Sequence, residues 1–285
     1  MSITTNNLTY TYSEGGPFEA QAIRNITLSI EDGEFVAIIG HTGSGKTTLV
    51  QHFNALTVPT SGSIVVQGID LMDKKADKRA LRQKVGLVFQ YPEYQLFEET
   101  IYKDIAFGPT NLKLPKDEID RRVKKAMQDV GLEYERFAEL SPFEVSGGEK
   151  RRVAIAGIIA MQPEVLILDE PAAGLDPRGR EAVLDLVEHL HDSLQITVIM
   201  VSHSMDDVAR LADRIIVMHQ GEIAMQGTPK EVFIQRDALV QMGLGIPEVG
   251  EIVAKLNEKG FQLPAGESDL DTVASLIAET LVQHD

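Results

Sequence analysis

A glycine-rich loop that directly follows an apolar run constrains the fold of this chain more than any other feature. The loop is Gly40-His41-Thr42-Gly43-Ser44-Gly45-Lys46-Thr47, it is followed by Thr48, and the apolar run before it covers residues 35–39. It fits the pattern G-x-x-x-x-G-K-[ST], whose glycines let backbone amides turn towards a phosphate group. The lysine then reaches the β- and γ-phosphates, and the next hydroxyl can bind Mg²⁺. Residues 40–48 therefore predict a nucleotide site between a strand and a helix.

The hydrophobic periodicity of the rest of the chain indicates an α/β fold. Strand-like patterns occur at residues 8–12, 23–30, 35–39, 63–67, 165–168 and 196–201. Helical spacing occurs at residues 46–56, 117–130, 149–161 and 178–194. Apolar strands that alternate with amphipathic helices predict a parallel sheet covered by helices. After Phe233 the pattern changes to short helical stretches around Pro247 and Pro264.

Charge and hydropathy limit the possible partners. The formal net charge is −16, which argues against a broad electrostatic grip on nucleic acid, so no nucleic-acid partner is expected. The longest apolar stretch, residues 153–161, is far shorter than the roughly 18 residues that a membrane span needs. The first residues lack the basic and apolar regions of a signal peptide. Any membrane role is therefore expected to come through a partner.

An acidic pair ends one of the predicted buried strands. Asp169 and Glu170 directly follow the apolar run 165–168. In this arrangement Asp169 can support Mg²⁺ and Glu170 can be aimed at an attacking water. Acidic residues at a strand end also serve solubility, but the preceding phosphate loop favours the catalytic interpretation.

The signature segment, defined here as Ser146-Gly147-Gly148-Glu149, stands at the start of a predicted helix. A small hydroxyl and two residues without side chains at a helix N-terminus favour a second phosphate contact. A simple helix cap is the alternative. The segment gains weight from its place among the other motifs.

In combination, these motifs resemble those of ABC-transporter ATPases. They occur in the family's order over about residues 3–230: the phosphate loop, Gln90, the signature segment, Asp169-Glu170, Gly174-Leu175-Asp176 and His203. The resemblance implies a RecA-like P-loop NTPase core with an N-terminal antiparallel β subdomain and a helical subdomain at about residues 91–160. Residues 1–230 would form the nucleotide-binding domain. Residues 231–285 would form an α-rich C-terminal extension, which either contributes to dimerisation or packs on its own chain as a cap.

The resemblance also implies that two subunits share each nucleotide. The phosphate loop of one subunit holds ATP, while the signature segment (Ser146, Gly147, Gly148 and Glu149) and Asp176 of the other contact it in trans. Two positions depart from the family's usual pattern. Glu149 stands where glutamine is most frequent, and Ala172 stands where a hydroxyl residue is common. Neither change removes a phosphate ligand, but Glu149 places an extra acid near the partner's nucleotide.

Further site residues follow from the same resemblance. Gln90 would contact Mg²⁺ and transmit movement to a membrane partner, and His203 would contact the γ-phosphate. With Glu170 these two form the expected catalytic set, and Thr47, Gln90 and Asp169 form the expected Mg²⁺ set. Tyr12 resembles the aromatic residue that stacks on adenine, although Tyr10 is close and either tyrosine can be a core residue.

Residues 90–109 indicate one branch of the ABC-transporter ATPases more clearly than the nucleotide motifs do. Together with Ser141-Pro142-Phe143 and residues 201–205 they resemble the energy-coupling-factor ATPases, and in particular the second (A-prime) of two paired paralogues. The resemblance implies a heterodimer with a sister ATPase beneath a transmembrane coupling (T) subunit, which associates with a substrate-binding integral membrane (S) subunit. The chain would then lie peripherally on the cytoplasmic face of a bacterial plasma membrane, use ATP and Mg²⁺, and energise the import of vitamins or other micronutrients.

The docking segment, residues 93–99, is the expected contact with the membrane subunit. Its acids and apolar side chains suit a basic amphipathic helix: Glu93, Tyr94, Leu96, Phe97, Glu98 and Glu99. A solvated acidic face with buried aromatic residues is the alternative.

Three other functions remain open at this stage. The nearest alternative is the ATPase of a cobalt or nickel importer. A soluble ABC protein without a transport role would usually carry tandem units or a long insertion, and this sequence has neither. A regulatory module without turnover is disfavoured by Glu170 and His203.

Overall fold

The computed structural model describes residues 1–267 and 269–283 and confirms the predicted α/β architecture. The strands are β1 (Ile3–Tyr12), β2 (Ala20–Ile30), β3 (Phe35–Gly40), β4 (Ser61–Val66), β5 (Ile69–Asp70), β6 (Val85–Val88), β7 (Val165–Asp169), β8 (Thr197–Val201), β9 (Arg214–His219) and β10 (Glu222–Gly227). The helices are α1 (Lys46–Phe53), α2 (Lys78–Lys84), α3 (Ile101–Asn111), α4 (Lys116–Asp129), α5 (Tyr134–Phe137), α6 (Gly147–Ile159), α7 (Pro177–Leu194), α8 (Met205–Leu211), α9 (Pro229–Phe233), α10 (Arg236–Gln241), α11 (Glu248–Glu258) and α12 (Leu270–Gln283).

The central sheet determines where the functional loops meet. Its six strands have the order β10-β9-β3-β8-β7-β6, and all neighbours are parallel except the β9–β10 hairpin. Every residue of β3, β7 and β8 is buried, as continuous apolar strands of a parallel sheet require. The carboxyl ends of these strands share one edge, so the loops that follow them lie together.

Successive residues of β3 face two different cores. Phe35, Ala37 and Ile39 pack against the helical layer that contains α3, α4, α6 and α7. Val36 and Ile38 face the second core, which α1 shares with an antiparallel sheet of order β2-β1-β4-β5. The period of two in a strand thus anchors β3 on both faces and fixes the start of the glycine-rich loop.

Between β6 and β7 the chain is helical, within the predicted range of residues 91–160. Short 3₁₀ turns at Pro92–Gln95 and Pro142–Glu144 flank the helices α3, α4 and α5. Helix α6 closes this region, and its side chains Val153, Ile155 and Ala156 belong to the main core.

The first part of the C-terminal extension belongs to the main core. Val232, Phe233, Leu239 and Leu244 are buried there, whereas Val240 is exposed. These four side chains therefore form a cap on their own chain and are not a free dimer surface. Further along, α11 and α12 enclose a small separate core. Within the described part of the chain, none of the helices combines the length and the apolar character of a membrane span.

Candidate nucleotide-binding and catalytic site

Two glycines of the loop are required by close backbone approach. A Cβ atom on Gly40 would lie 2.3 Å from the carbonyl oxygen of Met218 in β9. Gly45 has φ 101°, and a Cβ there would lie 2.6 Å from the carbonyl oxygen of Ala22 in β2. Because both neighbours are backbone atoms, a side chain at either position would displace the loop. The glycines thus let β3 turn sharply into α1.

A cavity of about 590 Å³ opens beside this loop. It brings together residues that are far apart in sequence and that the motifs predicted: Tyr12, Thr42, Gly43, Gly45, Lys46, Thr47, Thr48, Gln90, Asp169, Glu170 and His203. Gly40, His41 and Ser44 complete the loop without lining the cavity. Ala20, Gln21 and Ala22 of β2 form a further wall, and no sequence pattern marked them.

Lys46 is held at the centre of the loop. Its side chain is buried, and Nζ donates hydrogen bonds to the carbonyl oxygens of Gly40 at 2.7 Å and His41 at 3.2 Å. Burial lowers the pKa of Lys46, while Glu170 and Asp169 counteract this effect. The ammonium group therefore sits in a partly desolvated position where an anionic ligand would be strongly attracted.

The oxygen atoms near Thr47 fit a magnesium ion. The Thr47 hydroxyl donates to Asp169 Oδ2 at 3.1 Å, and burial raises the pKa of Asp169. Ser44 Oγ is buried and has no hydrogen-bond partner among the described residues. A hydroxyl next to a buried carboxylate is the oxygen set that Mg²⁺ uses when phosphates complete its coordination. Thr47 and Asp169, with Gln90 on the cavity wall, are the residues that would hold the ion.

Glu170 is fixed at the wall of the cavity by its backbone. It has φ 54°, and its N–H donates to the Val201 carbonyl oxygen at 3.0 Å, which ties it to β8. Its buried Oε1 accepts no well-aligned hydrogen bond from any described residue, although His203 Nε2 lies 3.1 Å away. Burial, and then the neighbouring Asp169, raise the pKa of Glu170 to about 7. A carboxylate with this pKa can accept a proton from water near neutral pH.

His203 is half-exposed at the rim of the cavity. Burial and the charge of Lys46 lower its pKa, so the neutral imidazole prevails at neutral pH. Its position beside Glu170 lets the ring orient that carboxylate or donate a hydrogen bond to a ligand oxygen.

Tyr10 and Tyr12 form a row of edge-on aromatic contacts that ends with Tyr12 at the cavity. Tyr12 is 41% exposed, and its hydroxyl lies 3.0 Å from Thr48 Oγ1. Tyr10 packs edge-on between Tyr12 and the buried His52, with both ring distances at 4.9 Å. Only Tyr12 lines the cavity, so the geometry favours Tyr12 over Tyr10 as a platform for a base.

The signature segment is completed by its own hydrogen bonds. The Ser146 hydroxyl and N–H both donate to Glu149 Oε2, at 2.7 and 2.8 Å, and the Glu149 N–H donates back to Ser146 Oγ at 3.3 Å. This capping box lowers the pKa of Glu149, which is therefore ionised at neutral pH. Asp176 caps α7 in a similar way, through the Gly179 N–H at 2.8 Å.

The structure does not bring the signature segment to the phosphate loop of the same chain. Among the described residues, neither Ser146–Glu149 nor Asp176 lines the 590 Å³ cavity. Ser146 and Asp176 are exposed instead. One chain therefore contains a cavity suited to a polyanion and, elsewhere on its surface, the exposed and self-capped N-terminus of α6.

The docking segment is only partly available for contact. Tyr94 and Phe97 are 84% and 58% exposed, and the carboxylate of Glu99 is exposed although it pairs with Lys103. The prediction is wrong for Glu93 and Leu96, because neither side chain is available to a docking partner. The Glu93 carboxylate is bound by the buried Arg151, and Leu96 packs into the main core.

A mainly apolar cavity of about 400 Å³ lies behind the docking segment. Phe97 and Phe107 meet edge-on at 5.0 Å on its rim. Asp104 accepts hydrogen bonds from the backbone N–H groups of Phe97 and Glu98, so this acid holds the segment in place. The available surface therefore consists of Tyr94, Phe97, Phe107, Glu98 and Glu99.

Arg151 is a functional candidate that the sequence analysis missed. It is part of the basic run 150–152, which suggests a solvated helix face. Its side chain is nevertheless 1% exposed. The spacing Arg151, Ile155 and Ile159 places it on the buried stripe of α6, and this was the available signal.

Comparison with known proteins relates this geometry to characterised families. The profile of the family described as ABC transporter matches residues 23–173. The energy-coupling factor transporter ATP-binding protein EcfA2 of Clostridium tetani is 56% identical, and the match covers 92% of this chain and 91% of that protein. The protein of the same description from Clostridium perfringens is 57% identical, with 92% of each covered.

Solved structures agree with this relationship. cbiO1 from Clostridium perfringens, described as part of the ABC transporter complex cbiONQ, has a TM-score of 0.75 and 39% identity, and the match covers 89% of this chain and 98% of that one. The ATP-binding cassette MJ0796, solved as a dimer in a post-hydrolysis state with ADP and Pi, has a TM-score of 0.69 and 31% identity, with 79% and 98% covered.

Proposed function

The chain belongs to the ABC transporter family, as an ATP-hydrolysing subunit of the energy-coupling-factor type, and from this premise we propose that it works as one half of an ATPase pair. It binds Mg–ATP in the cavity beside the phosphate loop and offers its signature segment to the nucleotide of its partner. The observation that carries the proposal is the separation of Lys46, Asp169 and Glu170 from the exposed, capped Ser146 within one chain.

Each cavity residue has a role in this proposal. Lys46 binds the β- and γ-phosphates, and Thr47 with Asp169 holds the Mg²⁺, which neutralises charge that develops on the phosphates. Glu170 accepts a proton from the attacking water. His203 orients Glu170 and contacts the γ-phosphate. Gln90 contributes to the Mg²⁺ set and lies three residues before the docking segment.

The partners follow from the relatives and from the surface. Proteins more than half identical to this chain are described as energy-coupling factor transporter ATP-binding proteins, which supports a sister ATPase and a membrane-embedded transporter as partners. The exposed rings of Tyr94 and Phe97 beside the acids Glu98 and Glu99 support docking of a basic amphipathic helix of the T subunit. The S subunit, an integral membrane protein, joins through that complex, and this chain lies peripherally on the cytoplasmic face of the membrane. The cargo we infer is a vitamin or another micronutrient.

The ATPase of a cobalt or nickel importer is the second candidate. The similarity to cbiO1 favours it, but the identity there is 39%, against 56% and 57% for the energy-coupling-factor relatives. Identification of the subunits that co-purify with the native complex separates the two candidates.

Charge reversal in the docking segment tests the assembly. Glu98→Lys and Glu99→Lys should each weaken co-purification with the membrane subunit. If the carboxylate meets an arginine in a desolvated contact, the loss is about 2 to 5 kcal/mol. ATP affinity of the isolated ATPase pair should be unchanged, because Lys46, Thr47 and Asp169 remain. Asp73→Lys, in the exposed turn before α2, is the control. Full assembly and uptake in both docking variants would remove the docking part of the proposal.

A further inference from the structure

Arg151 in α6 is a buried cation that contacts two segments distant from it in sequence. Nε and Nη2 donate to the two carboxylate oxygens of Glu93, at 3.1 and 2.8 Å. Nη1 donates to the carbonyl oxygens of Pro171 at 2.9 Å and Ala173 at 3.0 Å. The guanidinium group thus joins the docking segment to the loop that directly follows Glu170.

This arrangement is costly unless both contacts are kept. A buried charge loses its hydration, and a bidentate carboxylate with additional acceptors offsets that loss. Lysine at this position has no planar fork and would not satisfy both sides with the same geometry. The four hydrogen bonds therefore favour one fixed distance between Glu93 and the loop 170–173.

A second contact joins the same two regions. Tyr91, two residues before Glu93, has φ 54°. A Cβ atom on Gly174 would lie 3.0 Å from the Tyr91 ring, so the ring packs directly on this glycine. Arg151 and Tyr91 thus meet the segment after Glu170 at Pro171, Ala173 and Gly174.

We propose that Arg151 is a positioning residue that transmits the position of the docking segment to Glu170. The inference rests on the proposed function, in which the membrane subunit seats on the docking segment and Glu170 is the general base. Displacement of the docking segment pulls Glu93, moves the guanidinium group and shifts the carbonyl groups of Pro171 and Ala173. Seating of the membrane subunit then changes the turnover number of ATP hydrolysis and leaves the affinity for ATP unchanged.

The test compares the whole transporter with the isolated ATPase pair. Glu93→Gln retains the shape of the side chain but loses the charge-assisted pair. The ratio of kcat in the transporter to kcat in the pair should fall about 10-fold or more, because small misplacements of catalytic groups have effects of this size. KM for ATP should stay within about twofold, since an effect on the chemical step alone changes kcat.

The double variant Arg151→Met with Glu93→Gln separates positioning from simple charge balance. Arg151→Met alone leaves the Glu93 carboxylate unpaired, so its thermal midpoint should fall. Addition of Glu93→Gln should restore part of the midpoint, because removal of both partners is less costly than removal of one. The stimulation by the membrane subunit should stay low. Recovery of stimulation together with the midpoint would mean that Arg151 only stabilises the fold.

Glu118→Gln is the matched control. Glu118 in α4, like Glu93, accepts hydrogen bonds from arginine side chains, here those of Arg121 and Arg122. Among the described residues, no hydrogen bond or ion pair joins Glu118 to the docking segment or to the loop 170–173. Its stimulation ratio should equal that of the wild type. A wild-type ratio in Glu93→Gln as well would overturn the inference.

Failure of the proposed function gives a different result. If the membrane subunit does not stimulate the wild-type pair, or if Glu170→Gln still turns over, the proposed function fails and the inference fails with it. If both of these behave as proposed and only Glu93→Gln retains full stimulation, the inference alone fails.

Discussion

The nucleotide cavity and the signature segment, each expected to contact the phosphates of a different ATP, are built in opposite ways. In the cavity, Glu170 has a positive φ and a buried oxygen that receives no well-aligned hydrogen bond from the described residues. In the adjoining loop, Ser44 Oγ is buried and has no partner among the same residues. At the signature segment, Ser146 and Glu149 satisfy each other on the surface. The first region is incomplete without a ligand, whereas the second is stable in solvent.

This difference shows how one chain can provide two halves of different sites. A buried, partly unsatisfied cavity has its interaction energy available for ATP and Mg²⁺. An exposed helix N-terminus remains soluble until a partner's nucleotide approaches it. The contrast predicts that substitutions in the cavity act on the chain's own nucleotide and that substitutions at the signature segment act on the partner's.

The largest expected effect lies in the cavity. Glu170→Gln should lower the single-turnover rate of ATP hydrolysis about 10²- to 10⁴-fold and retain ATP binding, because the amide cannot accept the proton of the attacking water. Lys46→Ala should weaken ATP binding instead, since it removes the cation that meets the phosphates. An unchanged single-turnover rate in Glu170→Gln would show that another group is the base.

The pH dependence of stability without nucleotide tests how much the buried, ionised Glu170 destabilises the fold. Burial raises the pKa of Glu170 from 4.5 to about 7, so its contribution to stability is complete below pH 4.5 and is lost as pH rises through 7. Glu170→Gln avoids that loss. Above pH 7 the variant should be more stable than the wild type by up to about 3 kcal/mol in urea unfolding. A difference that does not change with pH for Glu170→Gln would show that burial of the Glu170 carboxylate costs no stability.

ATP affinity should show which of the two tyrosines stacks on the adenine ring. Tyr12→Ala should weaken binding of ATP by about 1 to 2 kcal/mol, as expected for loss of a stacking ring. Tyr10→Ala should mainly lower the thermal midpoint, because Tyr10 supports Tyr12 and packs on His52. Measurement of ATP affinity and midpoint for both variants decides. The opposite pattern would identify Tyr10 as the residue that stacks on adenine.

The smallest expected effect concerns the acid of the signature segment. Glu149→Gln keeps the shape of the cap and removes a negative charge close to the partner's phosphates. In a mixed dimer, ATP affinity at the partner's phosphate loop should rise by about 1 kcal/mol, the size of a screened charge pair. Affinity at this chain's own loop should stay constant. Equal changes at both loops would erase the distinction between the two regions.

The sequence was sufficient for features that depend on local spacing. The phosphate loop, the buried strands β3 and β7 and the helices α4, α6 and α7 were predicted within two residues of their bounds, because periodicity and glycine positions specify them. Strand β6 was missed because it has only four residues, one of which is Gly86. Helix α3 was missed because Gly108 and Pro109 interrupt its pattern.

Contacts between distant segments were not predictable in this way. Glu93 and Arg151 are 58 residues apart, and each alone resembles an ordinary surface charge. Val232 and Leu239 are apolar in sequence whether they face a partner or the chain's own core, and only the packed structure distinguishes these cases. The sharing of one site by two chains likewise came from the family resemblance.

The most direct test of the two-region account is photolabelling of a mixed dimer that carries Ser146→Arg in this chain. A photoreactive ATP analogue is applied, and labelling is measured separately at the two phosphate loops. The account predicts that labelling falls at the partner's phosphate loop and persists at Lys46 of this chain, because Ser146 serves the partner's nucleotide. Loss of labelling confined to this chain's own phosphate loop would contradict it.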